Sequence, residues 1–187
     1  MSALTVYQDR QPETGQSFFD FDEIQSQLAA IDVRFDRWAA GFPLPAHADQ
    51  AIILKAYQGP IEQLKEQYGF QSVDVVSLHP EHPERTTLRQ KFLAEHIHED
   101  FEVRFFIEGR GLFYLHVEDK VYAVLCEQND LISVPAGTTH WFDMGEHPSF
   151  KCIRLFTTPN GWVAKFTGSE IAKQFPTFDQ YTAALTC

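Results

Sequence analysis

The chain has 187 residues, 44% of them hydrophobic, enough for one domain to bury a core without disulfides or a structural metal. Fifteen Lys and Arg against 26 Asp and Glu give a formal charge of −11, which argues against nucleic acid or an anionic membrane surface as partner and favours a small ligand. The first residues lack a basic start followed by an apolar run, and no later window is apolar for a membrane-spanning length, so a cytoplasmic protein is expected.

In chain order, Leu4–Tyr7 reads as an edge strand. The segment DFDEIQSQLAAID has a capping Asp and apolar residues at Phe21, Ile24, Leu28 and Ile31, the spacing of a short packing helix. Val33 and Phe35 alternate with polar residues up to Trp38 as a strand, and Gly41, Pro43 and Pro45 end it. From His47 to Gly69 the period is helical again, with Asp49 as cap, Gly59-Pro60 as the break between two helices and Gly69 at the C-terminal glycine position. SVDVVSL at Ser72–Leu78 is a strand, HPEHPE a proline loop, and Arg85–Leu93 a short helix.

From His96 to Phe156, short strands are separated by turn signals at Glu108–Gly111, Glu118-Asp119, Glu127–Asp130, Pro135–Gly137 and Gly145–Ser149. That spacing predicts an antiparallel sandwich or barrel, not βαβ units. The tail, with Pro159, Gly161 and a short helix near Ser169–Gln174, is expected to cover one end. No repeat, low-complexity segment or domain boundary stands out. We read 1–187 as a single domain, with N-terminal helices and edge strands over 1–93, a barrel core over 94–156 and a C-terminal cover over 157–187.

The chemistry concentrates in AEHIHEDFEVRFFIEG at Ala94–Gly109, completed by PAGTTH at Pro135–His140. His96 and His98 are two apart and Glu102 four further on, so a β-ribbon projects all three from one face, with His140 as the natural fourth ligand. Three imidazoles and a carboxylate suit Fe, Ni, Mn or Co and leave positions open for a substrate. Cys126, Cys152 and Cys187 form neither a close pair nor a CxxC, and are expected to be reduced and not ligands.

Alternation places Arg104 and Phe106 on the face of Glu102, bringing a positive charge within reach of whatever the metal binds. Phe142 and Met144 follow His140 inward, as core or as pocket, and Phe150, Cys152, Arg154 and Phe156 share one face of the next strand. His47, His79, His82, His116 and His147 have no partners at metal spacing and read as solvated or structural. Glu95, Glu99 and Asp100 read as a solvated rim beside the ligands.

The two elements resemble the paired cupin motifs, the first supplying His, His and Glu and the second His. Departures fall at turns: Gln90 and Asn129 stand where glycines are expected, and Met144 where an asparagine closes the motif. The likeness implies a mainly β fold, a cupin-type antiparallel β-barrel (jelly roll) with several short helices packed around it.

Within the cupins the chain is similar to the acireductone dioxygenases of methionine salvage. The likeness runs through VRFDRW at Val33–Trp38, AYQ at Ala56–Gln58, LRQKFLAEHIH at Leu88–His98, EVRFFIEGRGLFYLHV at Glu102–Val117, NDLISVPAGTTHWFDMG at Asn129–Gly145 and the GWVAKFTG tail. The resemblance implies oxidation of 1,2-dihydroxy-3-keto-5-methylthiopentene by O2 at one Fe(II) or Ni(II) ion per chain, held by His96, His98, Glu102 and His140. It implies formate and 2-keto-4-methylthiobutyrate from the iron form, and methylthiopropionate, formate and carbon monoxide from the nickel form.

The same resemblance gives Arg104 the substrate dianion, Glu95 metal incorporation, Phe101 a conformational relay, and Arg154 and Trp162 pocket positions. Phe92, Phe142 and Trp162 are expected at the apolar methylthio end. No nucleic-acid or membrane partner is expected, and frequent turns with strong acidity suggest a monomer. Two alternatives remain open from the residues alone: another cupin reaction, on a different enediol or a sugar phosphate, and a non-catalytic cupin that stores or senses a ligand or metal. The first would want more basic residues than Arg104 and Arg154, and the second, as a regulator, lacks a DNA-reading segment.

Overall fold

The structure, a computed structural model, describes residues 1–45 and 48–185; the expectations placed on His47 and Cys187 lie outside the described residues. The elements are β1 (Ala3–Gln8), β2 (Gln11–Phe18), α1 (Phe21–Ala29), β3 (Arg34–Arg37), α2 (Gln50–Ala56), α3 (Gln58–Tyr68), β4 (Ser72–Leu78), α4 (Arg85–Leu93), β5 (His96–Ile97), β6 (Glu102–Val117), β7 (Lys120–Glu127), β8 (Asp130–Val134), β9 (Thr139–Asp143), β10 (Phe150–Phe156), β11 (Lys165–Phe166), a 3-10 turn at Ile171–Gln174 and α5 (Phe178–Ala184).

All strand pairings among the described residues are antiparallel. One sheet runs β11-β5-β9-β6-β7-β1-β2 and the other β4-β10-β6-β8-β3, so β6 belongs to both. The two sheets face each other across a core that includes Phe106, Phe113, Leu115, Val124, Ile132, Phe142 and Phe150. Among the described residues, pairing does not close into a ring. On the outer face of the β4-β10-β6-β8-β3 sheet, α2 and α3 bury Ile53, Tyr57, Ile61 and Leu64, and the tail with α5 covers the other sheet through Phe175 and Tyr181. The architecture is the mainly β, helix-decorated one expected, and no described helix is long and apolar enough to cross a membrane.

The turn expected at Glu108–Gly111 is instead a bend inside one 16-residue strand. Up to Gly109, β6 pairs with β8 and β10; from Arg110 it pairs with β7 and β9. The register with β10 slips between Lys151 and Cys152, and such a bulge reverses which residues face inward. Glu102, Arg104 and Phe106 point to the core before it, Phe113 and Leu115 after it. Gly109 has φ +69, and a Cβ there would lie 1.9 Å from the Ser149 carbonyl oxygen, so only glycine fits the bend.

Two further expectations are corrected, and one element has no counterpart in the sequence reading. β1 is not an edge, because it pairs with β7 as well as β2. The edge is β2, whose QPETGQSF shows no apolar alternation because most of it stays exposed. The break between α2 and α3 falls at Tyr57, and Pro60 lies in the first turn of α3, where a missing N–H is tolerated. Finally, α5 went unpredicted. Its start is a capping box, in which Thr177 N donates to Gln180 Oε1 (2.8 Å) and Gln180 N to Thr177 Oγ1 (3.3 Å).

Candidate metal centre

β9 lies between β5 and the second half of β6, and His96 and His140 face each other across the β5–β9 pair. His98 follows just beyond β5, at the end of that strand. All three histidines are buried, at 1–4% exposure, and one ring nitrogen from each lies within 4.8 Å of the others.

Each Nδ1 faces a backbone carbonyl: His96 that of Ala94 at 2.7 Å, His98 that of Val163 at 3.0 Å, and His140 that of Thr138 at 2.8 Å. A carbonyl only accepts, so these contacts place the proton on Nδ1 and leave each Nε2 as a lone-pair donor. Burial, with the His140 ring close by, pushes His96 down to about 4, which keeps its imidazole neutral and available to a cation.

Glu102 lies beside two of the three histidines. Its Oε2 is 3.4 Å from His98 Nε2 and 3.3 Å from His140 Nε2, yet both Glu102 Oε2 and His140 Nε2 are buried without a hydrogen-bond partner. Orphaned acceptors beside the three clustered imidazoles fit a metal ion, which satisfies lone pairs where no donor is present. Burial alone raises the Glu102 carboxyl, but Arg104 beside it outweighs burial and holds it well below the usual carboxylate range.

Arg104 Nε donates to Glu102 Oε1 at 2.8 Å, while Nη1 is buried with no partner. Its guanidinium carbon lies 4.6 Å from the Phe142 ring centroid and 4.8 Å from that of Phe113, a setting that favours the cation and fixes its plane. Arg154 stands directly opposite Arg104 in the register, and Asp74 directly opposite Arg154. Like charges facing each other are unfavourable, and here Asp74 offsets one of them: Arg154 Nε and Nη2 reach its two oxygens at 2.8 and 2.6 Å.

A cavity of about 350 Å3 opens onto His96, His98 and Arg104 and is also lined by Phe92, Arg154 and Trp162. Trp162 is half exposed at 49%. Phe142 and Met144 do not line it; both are buried in the core between the sheets. Phe101 is exposed, at 45%.

The solvated rim expected at Glu95, Glu99 and Asp100 is corrected: only Glu99 is exposed. Glu95 is buried and accepts from Thr167 Oγ1 at 2.7 Å, with His116 Nδ1 3.2 Å away. Asp100 is buried against Thr157 and Thr158. Their partners are far along the chain, so local charge patterning could not separate them from Glu99. The Thr157-Thr158 pair ahead of Pro159 was the one available signal.

The model of the ARD/ARD′ family matches residues 3–164. The chain is 57% identical over 177 residues to the acireductone dioxygenase of Pseudomonas aeruginosa (strain UCBPP-PA14), covering 94% of this chain and 98% of that protein. It is 54% identical over 181 residues to that of Methylococcus capsulatus, covering 97% of each. Among solved structures, acireductone dioxygenase from Bacillus anthracis, with a cadmium ion in its active centre, superposes with a TM-score of 0.78 at 28% identity, over 89% of this chain and 98% of that one.

Proposed function

The chain belongs to the ARD/ARD′ family, and from that membership we propose that it is a metal-dependent dioxygenase of acireductone in methionine salvage, with one Fe(II) or Ni(II) ion held by His96, His98, His140 and Glu102. The observation that carries the reading is the cluster of three buried imidazoles with Nδ1 committed to carbonyls, two of which hold Nε2 3.3–3.4 Å from one unpartnered carboxylate oxygen. The cadmium in the active centre of the Bacillus anthracis relative supports it. When bound, the ion supplies Lewis acidity and a template for two neighbouring substrate oxygens.

The chain's own residues do the rest. Arg104 gives Nε to Glu102, and its guanidinium also lines the cavity. A guanidinium N–H on the cavity side meets the enediolate oxygens, and in a buried site the charge-assisted bond favours loss of the enediol protons. An electron-rich dianion is the form that reacts with O2. Phe142 and Phe113 hold the guanidinium plane from behind, while Met144 contributes to the core.

Arg154, already engaged by Asp74, shapes the cavity wall without adding a free charge. Phe92 and Trp162 flank the end suited to the apolar methylthio group. Glu95, hydrogen-bonded next to His96, is assigned to metal incorporation, and Phe101 to relaying conformational change. One cupin domain and a cytoplasmic location belong to the same reading, as does a monomeric state, which the acidic composition and frequent turns support.

The test is to reconstitute the apoprotein separately with Fe(II) and Ni(II) and to identify the products from acireductone. Formate with 2-keto-4-methylthiobutyrate is expected from the iron form, and methylthiopropionate, formate and carbon monoxide from the nickel form. The same products from both would remove the metal switch, and no O2 uptake with either would remove the dioxygenase.

A further inference from the structure

His98 differs from the other two histidines in how its ring is held. His96 and His140 reach carbonyls two residues behind them on their own segments, whereas His98 reaches Val163 O, 65 positions away in the C-terminal tail. His98 also lies past the end of β5, so its strand alone does not aim it. The position of the tail therefore sets the direction of His98 Nε2.

Val163 is anchored on both sides. Downstream, β11 pairs with β5, with Lys165 opposite Ile97 and Phe166 opposite His96. Upstream, Asp100 grips the start of the tail: one of its oxygens accepts from Thr157 Oγ1, and the other from Thr158 N at 2.7 Å and Thr158 Oγ1 at 3.1 Å. Asp100 is 5% exposed, and a buried carboxylate is stable only when it accepts several such bonds. Gly161 lets the tail lie against it, since a Cβ there would be 2.4 Å from Asp100 Oδ2 and 2.7 Å from Phe156 Cβ.

Resting on the metal reading above, we propose that Asp100 is a positioning residue of the metal centre: by clasping Thr157 and Thr158 it seats the Val163 carbonyl that orients the His98 imidazole toward the ion. Asp100 sits two residues from both His98 and Glu102, and its carboxylate is taken up by the tail. Its effect on the metal passes through the backbone of Val163. Loss of such an outer partner typically weakens metal binding about 10- to 100-fold.

The experiment is Ni(II) binding to metal-free wild type, Asp100→Ala and Gly161→Ala, by competition with a chromophoric chelator, with urea unfolding of each metal-free protein. Asp100→Ala removes the clasp from the ligand side, and Gly161→Ala pushes the tail off it from the other. We expect Ni(II) binding about 10- to 100-fold weaker in both, in protein that is still folded at the assay temperature. A merely structural role would lower the urea midpoint and leave the Ni(II) dissociation constant at the wild-type value, and that result in either folded variant overturns the proposal. If wild type itself takes up no Ni(II), the four-ligand reading fails and this inference with it, so the two failures are told apart by the wild-type arm.

Discussion

Arg104 and Glu102 lie two residues apart on the inner face of β6, joined by a 2.8 Å hydrogen bond from Arg104 Nε to Glu102 Oε1, and Arg104 Nη1 remains without a partner. One guanidinium thus neutralises a buried carboxylate and keeps a donor in reserve. The two residues are 2% and 1% exposed, so neither charge is stable there without the other or an ion.

Arg104→Ala separates those two duties. With its counter-charge gone, the metal-free variant should lose about 3–5 kcal/mol in urea unfolding. The Ni(II) content should stay near one per chain, because the four ligand side chains remain. Turnover of acireductone, followed by O2 uptake, should drop by roughly 10²–10³-fold. Wild-type turnover in the folded, metal-loaded variant would take Arg104 out of the chemistry.

Substituting a ligand has the opposite pattern. His140→Ala removes an Nε2 that has no protein partner, so the metal-free fold should change little while Ni(II) binding weakens by on the order of 10² or more. Elemental analysis after gel filtration reads this directly, and full occupancy would show that the ion sits elsewhere.

In the metal-free protein, acid should act through His96. Its folded value of about 4 lies below the reference of 6.5, so between these values the unfolded chain binds a proton that the folded chain refuses. Stability contributed by the neutral ring is therefore full above pH 6.5 and declines as the pH falls toward 4, by roughly 2 kcal/mol at pH 5. Comparing urea midpoints at pH 7 and pH 5 for wild type and His96→Gln isolates this contribution. Equal shifts in the two proteins would show that His96 does not carry it.

Gly109→Ala probes the bend. A positive φ costs a β-carbon about 1 kcal/mol, and contact with a backbone carbonyl adds more, so a loss above roughly 3 kcal/mol is expected. Because the bulge decides that Arg104 and Phe113 both face inward, the folded fraction should also bind Ni(II) more weakly. A loss under 1 kcal/mol would mean that the bend is imposed by other contacts.

Much of the chain was legible from local signals. The helix at Arg85–Leu93 and the strand at Ser72–Leu78 have the bounds read from their periodicity, and Asp20, Asp49 and Gly69 cap helices as their residue types suggest. Period-two alternation in EVRF put Glu102 and Arg104 on one face. What failed was punctuation: glycine in EGRG signals a turn and a bulge equally well, and β2 and α5 lack the apolar periodicity that announces an element.

By itself the sequence determined which donors stand near one another, the proposed ligands His96, His98, Glu102 and His140 with Arg104 two residues beyond the carboxylate, because residue type and spacing along a strand set what a face can offer. Only the tertiary structure decided how those groups are used. The partners of Arg154, Glu95, Asp100 and His98 are Asp74, Thr167, Thr157 with Thr158, and Val163, separated by 57 to 80 positions. Contacts across such distances depend on sheet register and on where the tail packs, which no local pattern encodes.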